Sequence, residues 1–229
     1  MIIETNGIKV ERLREKDIEL VRTWRNSQFV KQYMNFRETI TPEMQKSWFK
    51  TIDNFNNFYF IIHHKGEKVG LGNIKNVDWE NKEGDAGIFI TKQKLIGSIL
   101  PVVGSLTLSD IVFKVLNLER VVAQIRKDNP RSKKLNVLMG AKIADNQVDD
   151  EVQLFHIKRH DFYKATKKYF MIMGPMGFSS GHLKISFDKY DIDTGFAGKF
   201  IKLIEASEMD FQRFEEGDIV YYKEVPSKR

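Results

Sequence analysis

The chain has 229 residues, 37 Lys and Arg against 31 Asp and Glu for a formal charge of +6, and no cysteine. Its length predicts one domain plus an extension, and the missing cysteines exclude a disulfide framework, a thiolate metal site and a cysteine nucleophile. Residues 161–229 hold 11 basic and 11 acidic side chains, so the whole excess lies in residues 1–160, a balance that suits anionic small molecules or weak nucleic-acid contact.

Hydrophobic content of 41% with 17 Phe is enough to fill a sizeable core. Residues 1–6 show no signal-peptide pattern and no apolar run reaches membrane-spanning length, so a cytoplasmic protein without membrane contact is expected. In chain order, residues 7–14 alternate and predict a half-buried strand. Asp17 is placed to cap a helix whose Ile18, Val21 and Trp24 share one face and which ends in Trp24-Arg25-Asn26. Thr41-Pro42-Glu43 starts a second helix, with Met44, Trp48 and Ile52 spaced by four. Residues 58–64 and 68–79 read as strands joined by Lys65-Gly66-Glu67, and a second hairpin at residues 80–83 leads into another strand.

The densest pattern spans residues 84–140. A strand (84–91) runs through a loop (92–100) into a helix from Pro101 to about Leu116. A strand at 120–127 follows, then the junction Asp128-Asn129-Pro130 and a short helix closed by Gly140. A strand leading through a loop to a helix N-terminus gathers free N–H groups and the positive end of the dipole, which suits phosphate. Pro101 fits a first helical position because its missing N–H would have had no partner there.

This order resembles the coenzyme-A core of the GCN5-related N-acetyltransferases (GNAT family). Asn129, Ser132, Leu135 and Met139-Gly140-Ala141 follow the family's Asn-to-Gly ending, and Asp110-Ile111-Val112-Phe113 is similar to its Asp-Tyr-Ala-Phe. The phosphate loop departs from the pattern: with Gly97 as the first glycine, Lys94 falls on the basic position and Ile99 on the second glycine. The tyrosine seven residues after the family's Asn is here Asn136.

The resemblance implies an α/β (α+β) fold with a mixed, mainly antiparallel twisted sheet flanked by helices, covering residues 1–165. Residues 166–229 are then a small C-terminal β-rich extension that packs on the first domain or serves a partner or a second copy. The implied co-substrate is acetyl-coenzyme A (acetyl-CoA), with no metal. Lys94, Gly97, Ser98, Ile99 and Asn129 would line its binding cleft, and the backbone of Ile88, Phe89 and Ile90 would pair with the pantetheine arm and hold the thioester carbonyl.

Acetyl transfer to an amine needs a proton acceptor. Asp85, on the strand beside the expected thioester, is the best-placed carboxylate, its alternative being a plain solvent-facing charge; Asp78, Glu83, His63 and His64 are weaker candidates. With Asn136 in place of the tyrosine, protonation of the departing thiolate falls to water or Ser132. Trp24-Arg25-Asn26 and Trp48-Phe49 resemble the branch that acetylates nucleotide-linked amino sugars in surface-glycan pathways, and the related branch acting on ribosomal-protein N-termini. Arg25 and Trp48 are the substrate-binding candidates. Arg25 can fork onto a phosphate or carboxylate, its alternative being an exposed structural charge, while Trp24 and Trp48 both read as core or wall residues. The expected partner is a small-molecule amine. Its alternatives are a protein N-terminal amine, or a non-catalytic binding role for a relic cleft. The aromatics follow core periodicities rather than interleaving with Lys and Arg, which argues against nucleic acid.

Residues 151–159 read as the last family strand, paired with residues 141–148. Residues 174–181 read as a linker, 183–187 and 217–225 as strands, 199–206 as a strand or short helix, and 209–214 as a short helix.

Overall fold

The computed structural model describes residues 1–173 and 182–225; the linker expected at 174–181 lies outside them. Eleven strands form one sheet among the described residues. They are β1 (Ile2–Thr5), β2 (Ile8–Arg12), β3 (Phe58–His64), β4 (Glu67–Asp78), β5 (Glu83–Ile90), β6 (Arg120–Arg126), β7 (Lys142–Ile143), β8 (Val152–Lys158), β9 (Lys184–Phe187), β10 (Phe211–Glu216) and β11 (Ile219–Glu224). Their spatial order is β10-β11-β9-β1-β2-β3-β4-β5-β6-β8-β7. Every pairing is antiparallel except β5 with β6. This is the mixed, mainly antiparallel sheet flanked by helices that the sequence predicts.

Two helical layers cover the sheet. The helices α1 (Ile18–Asn26), α2 (Gln28–Lys31) and α3 (Pro42–Ile52) follow β2. A small core of Leu13, Ile18, Val21, Phe49, Ile61 and Leu71 lies beneath α1 and α3. Next come α4 (Gln93–Ile96), α5 (Leu100–Asp110), which continues into a π-helical turn over Ile111–Val115, α6 (Pro130–Leu138) and α7 (Arg159–Met173). The larger core joins Leu106, Phe113 and Phe162 to Phe60 and Ile62 of the sheet. It also takes in Phe187 and Phe200, because α8 (Lys189–Asp193) and α9 (Phe196–Glu205) pack there. No helix among the described residues is long and apolar enough to cross a membrane.

Several local expectations are corrected. Residues 209–214 contribute a strand, β10, because Phe211 to Glu216 pairs with Ile219 to Glu224 in a hairpin turning at Gly217. Residues 92–100 contain the short helix α4 rather than open loop. Asp17 makes no capping bond and instead pairs with Lys68 Nζ at 2.7 Å. On α3 the buried positions are Gln45 and Phe49 while Met44 is exposed, although Thr41 caps Met44 N–H as its sequence predicts. Within 141–148 strand pairing is limited to Lys142 and Ile143.

Candidate active site

The site starts from a break in the sheet. β5 pairs with β4 along nearly its whole length, but with β6 over Glu83–Asp85 alone. From Ala86 to Ile90 it has no strand partner on the β6 side, so its backbone polar groups there face an opening. That opening is one cavity of about 700 Å³ running between β5 and β6 from the start of α5 to the face beneath α1 and α3. Two glycines keep the α5 side thin. A Cβ on Gly72 would fall 2.6 Å from Leu108 Cδ1, and one on Gly104 2.6 Å from Ile88 Cδ1.

Of the residues singled out in the sequence, Arg25, Trp48, Asp85, Ile88, Phe89, Ile90, Ser98, Asn129 and Ser132 line this cavity. Lys94, Gly97 and Ile99 do not. Gly97 has an ordinary φ of −81° and open space where a Cβ would go, so nothing in the backbone there demands glycine. Ser98 bridges α4 and α5, donating to Leu95 O at 2.7 Å and accepting from Leu100 N at 3.2 Å. Asn129 caps α6: its Oδ1 accepts from Ser132 N at 3.1 Å. Ser132 lines the same cavity, and Asn136 Nδ2 donates to Ser132 O at 2.9 Å. Gly140 ends this segment at φ +89°, with Asp161 O 2.6 Å from where a Cβ would sit.

Asp85 is held on one side. Its Oδ2 accepts from Asn76 Nδ2 at 2.9 Å and Gln124 Nε2 at 3.3 Å and lies 3.2 Å from Lys75 Nζ. Asn76 reaches it because a bulge in β4 puts that residue at φ +52°, a conformation that Asn tolerates. No group among the described residues bonds Asp85 Oδ1. The weaker candidates lie off the cavity. Asp78 closes its own turn onto Asn81, Glu83 pairs with Arg120, and His63 Nε2 sits 3.1 Å from Glu11 Oε2. Burial holds both His63 and His64 below the ordinary histidine value.

Arg25 opens onto the cavity half-buried and without an ion pair among the described residues. Its desolvation lowers its pKa, which marks a cation short of compensation. Trp48 stands edge-on to Tyr59 with ring centroids 5.2 Å apart, and burial raises the Tyr59 phenol. Trp24 packs in the smaller core, as read from its periodicity. Sequence reasoning missed Tyr59, Asn73, Lys75, Gln124, Arg131 and Lys134, all on the cavity wall. Arg131 and Lys134 flank Ser132 and have no ion pair among the described residues, which their place just after Asn129-Pro130 could have signalled. The strand residues carry no motif, and only their alternation on neighbouring strands relates them.

A sheet parted beside a helix N-terminus, with a short Asn-capped helix across the gap, is the arrangement that the resemblance to the acetyltransferases implies. Residues 8–142 match the family model described as the acetyltransferase (GNAT) domain, and the chain belongs to that family of N-acetyltransferases. No curated protein matches the sequence. Among solved structures it is similar to a domain from Methanocaldococcus jannaschii DSM 2661 (22% identity, TM-score 0.57, covering 66% of this chain and 97% of that one). It is also similar to spermidine N-acetyltransferase from Vibrio cholerae in complex with CoA and spermine (14%, 0.59, 68% and 98%). A third is AAC(6')-Ib in complex with ribostamycin and coenzyme A (13%, 0.59, 69% and 97%). At these identities the likeness is one of fold.

Proposed function

We propose that the protein transfers an acetyl group from acetyl-CoA to the primary amine of a nucleotide-linked amino sugar. The observation that carries this reading is the parting of β5 from β6 over a cavity with Asp85 on its wall. The unpaired β5 edge at Ala86–Ile90 suits a pantetheine arm, and the α5 N-terminus, Arg131 and Lys134 suit its phosphates. The co-substrate supplies the thioester. The bound ammonium gives one proton to water, and the lone pair so freed attacks the carbonyl carbon. Asp85 Oδ1 takes a second N–H proton from the adduct as the C–S bond breaks to release a thiolate. The Ser132 hydroxyl, at the α6 end of the cavity, can hydrogen-bond that sulfur.

Charge supports the acceptor class. The relatives of similar fold hold spermine or ribostamycin, both rich in amines. Here the acceptor side presents Arg25 and Lys75 against the single carboxylate of Asp85. A polycation gains little from that set, whereas an acceptor with a phosphate gives Arg25 the counter-charge it lacks. Tyr33, Trp48 and Tyr59 supply flat walls for a ring. The test is thiol release from acetyl-CoA with UDP-glucosamine, spermidine, ribostamycin or a peptide with a free N-terminus. Transfer to the nucleotide sugar alone is expected. Exclusive use of the peptide or the polyamine overturns the acceptor class, and calorimetry showing no coenzyme-A binding overturns the whole reading.

A further inference from the structure

Asn73 on β4 lies directly opposite Gly87 on β5, and Tyr59 on β3 is the next member of the same row. Opposed residues in a sheet project to one face, as do residues two apart on a strand. Asn73, Gly87 and Asp85 therefore share the face beneath α1 and α3. Gly87 leaves a gap in it, since a Cβ there would sit 3.3 Å from Asn73 Nδ2 and 3.7 Å from Oδ1. Two oxygen acceptors on this face have no donor among the described residues. One is Asn73 Oδ1, which is buried. The other is Asp85 Oδ1, because Asn76, Gln124 and Lys75 all gather on Oδ2. A buried amide oxygen without a donor is unfavourable, and both residues line the cavity that the amine must enter.

We infer, resting on the acetyltransferase reading above, that Asn73 Oδ1 receives one N–H of the acceptor's amine while Asp85 Oδ1 receives another. The two oxygens differ in what they can do. A carboxamide is not basic, so Asn73 holds the N–H that the product amide keeps. The third N–H of the ammonium points at the β5–β6 opening and gives its proton to water, so the lone pair it uncovers is aimed where the carbonyl carbon arrives. Asp85, a carboxylate, then takes the N–H proton directed at it from the adduct. Lys75, beside Asp85, adds a cation that disfavours the ammonium form of the incoming group. Asn73 is thus a substrate-binding residue that sets the approach angle, and Gly87 is the space the amine occupies.

The experiment compares native protein, Asn73→Ala and Asn73→Asp, using whichever of the four amines the native protein acetylates. Asn73→Ala should raise KM for the amine about tenfold or more, the loss of one hydrogen bond to a charged group, with KM for acetyl-CoA unchanged. Asn73→Asp keeps an acceptor oxygen, so its amine KM should stay within about threefold of native. Its second carboxylate should also raise the pKa of Asp85 and move the acid limb of the kcat/KM profile to higher pH. A merely structural role would weaken both variants alike and leave the profile in place. A native-like amine KM in Asn73→Ala, or equal losses in both variants with an unmoved profile, overturns the assignment while the acetyltransferase reading stands. No transfer by the native protein to any of the amines overturns both. If melting curves show Asn73→Ala unfolded, the pH profile of Asn73→Asp decides.

Discussion

Replacing Asp85 by Asn tests the proposed chemistry at the atom where it happens. The substitution keeps the shape and removes one charge. Asp85 Oδ2 is gripped by Asn76, Gln124 and Lys75, and all three bring N–H donors, so the introduced amide must turn its oxygen to that side. Its NH2 group then occupies the place of Oδ1 and points a donor at the acceptor amine. The variant therefore loses the base and sets a donor against the N–H it should deprotonate. General-base catalysis is worth about 100-fold to 10,000-fold, or about 2.7 kcal/mol at the lower bound. We expect kcat to fall by roughly 100-fold or more, while coenzyme-A affinity by calorimetry stays at the native value because Asp85 lies on the acceptor face. Steady-state thiol release with the preferred amine, measured from pH 6 to 9, provides the assay. Near-native kcat across that range would refute the assignment and hand the proton to water. A fall in coenzyme-A affinity as large as the fall in kcat would show that Asp85 holds the cleft together.

Three further outcomes follow from the packing. Gly140→Ala should cost about 1–3 kcal/mol by denaturant titration, because φ is +89° and the new Cβ meets the Asp161 backbone oxygen at 2.6 Å. Asp188 is partly buried, which works against its charge, yet the Arg14 pair at 2.8 and 2.9 Å and the Asp191 N–H hold its carboxyl well below the ordinary 3.8. A depressed folded pKa contributes stability that is present above the unfolded value and lost as pH falls through the folded one, so melting temperature should drop below about pH 4, and less steeply in Asp188→Asn. Phe200→Ala removes a fully buried ring that touches Phe58, Phe187 and Phe196, and should cost about 3–5 kcal/mol. If the C-terminal strands and the family core melt together, calorimetry will show one transition moving down, whereas a separate early transition would mark residues 166–229 as an independent unit.

What the sequence disclosed depended on range. Thr41-Pro42 and Asn129-Pro130 announce helix starts, and in both the first residue caps the helix through a contact three residues away. The hairpin at Lys65-Gly66 is equally local. Asp17 misled because its competitor, Lys68, is 51 residues distant. The segment 209–214 misled for a related reason: its Phe, Gln, Arg and Glu accept either geometry, and strand pairing with Ile219–Glu224 decides between them. β1 escaped notice because residues 2–5 gain their role from β2 on one side and β9, some 180 residues later, on the other.

The site divides along the same line. Asp85, Asn129 and Ser132 stood out because an ordered series of short motifs surrounds them, and all three reach the cavity. The cavity itself is a property of three strands, since β5 must follow β4 and abandon β6 after Asp85. No residue encodes that divergence alone. Consider what each neighbour of Asp85 contributes: Lys75 and Asn76 from the bulged β4, and Gln124 from β6, two strands that meet at this carboxylate from opposite sides. They bind the same oxygen because the carboxylate stands where β5 still touches both. One residue pair further on, the strands have parted, and no donor among the described residues reaches the other oxygen. The break in the sheet and the free lone pair of the proposed base are therefore one feature, so restoring β5–β6 pairing beyond Asp85 would close the cavity and block that oxygen together.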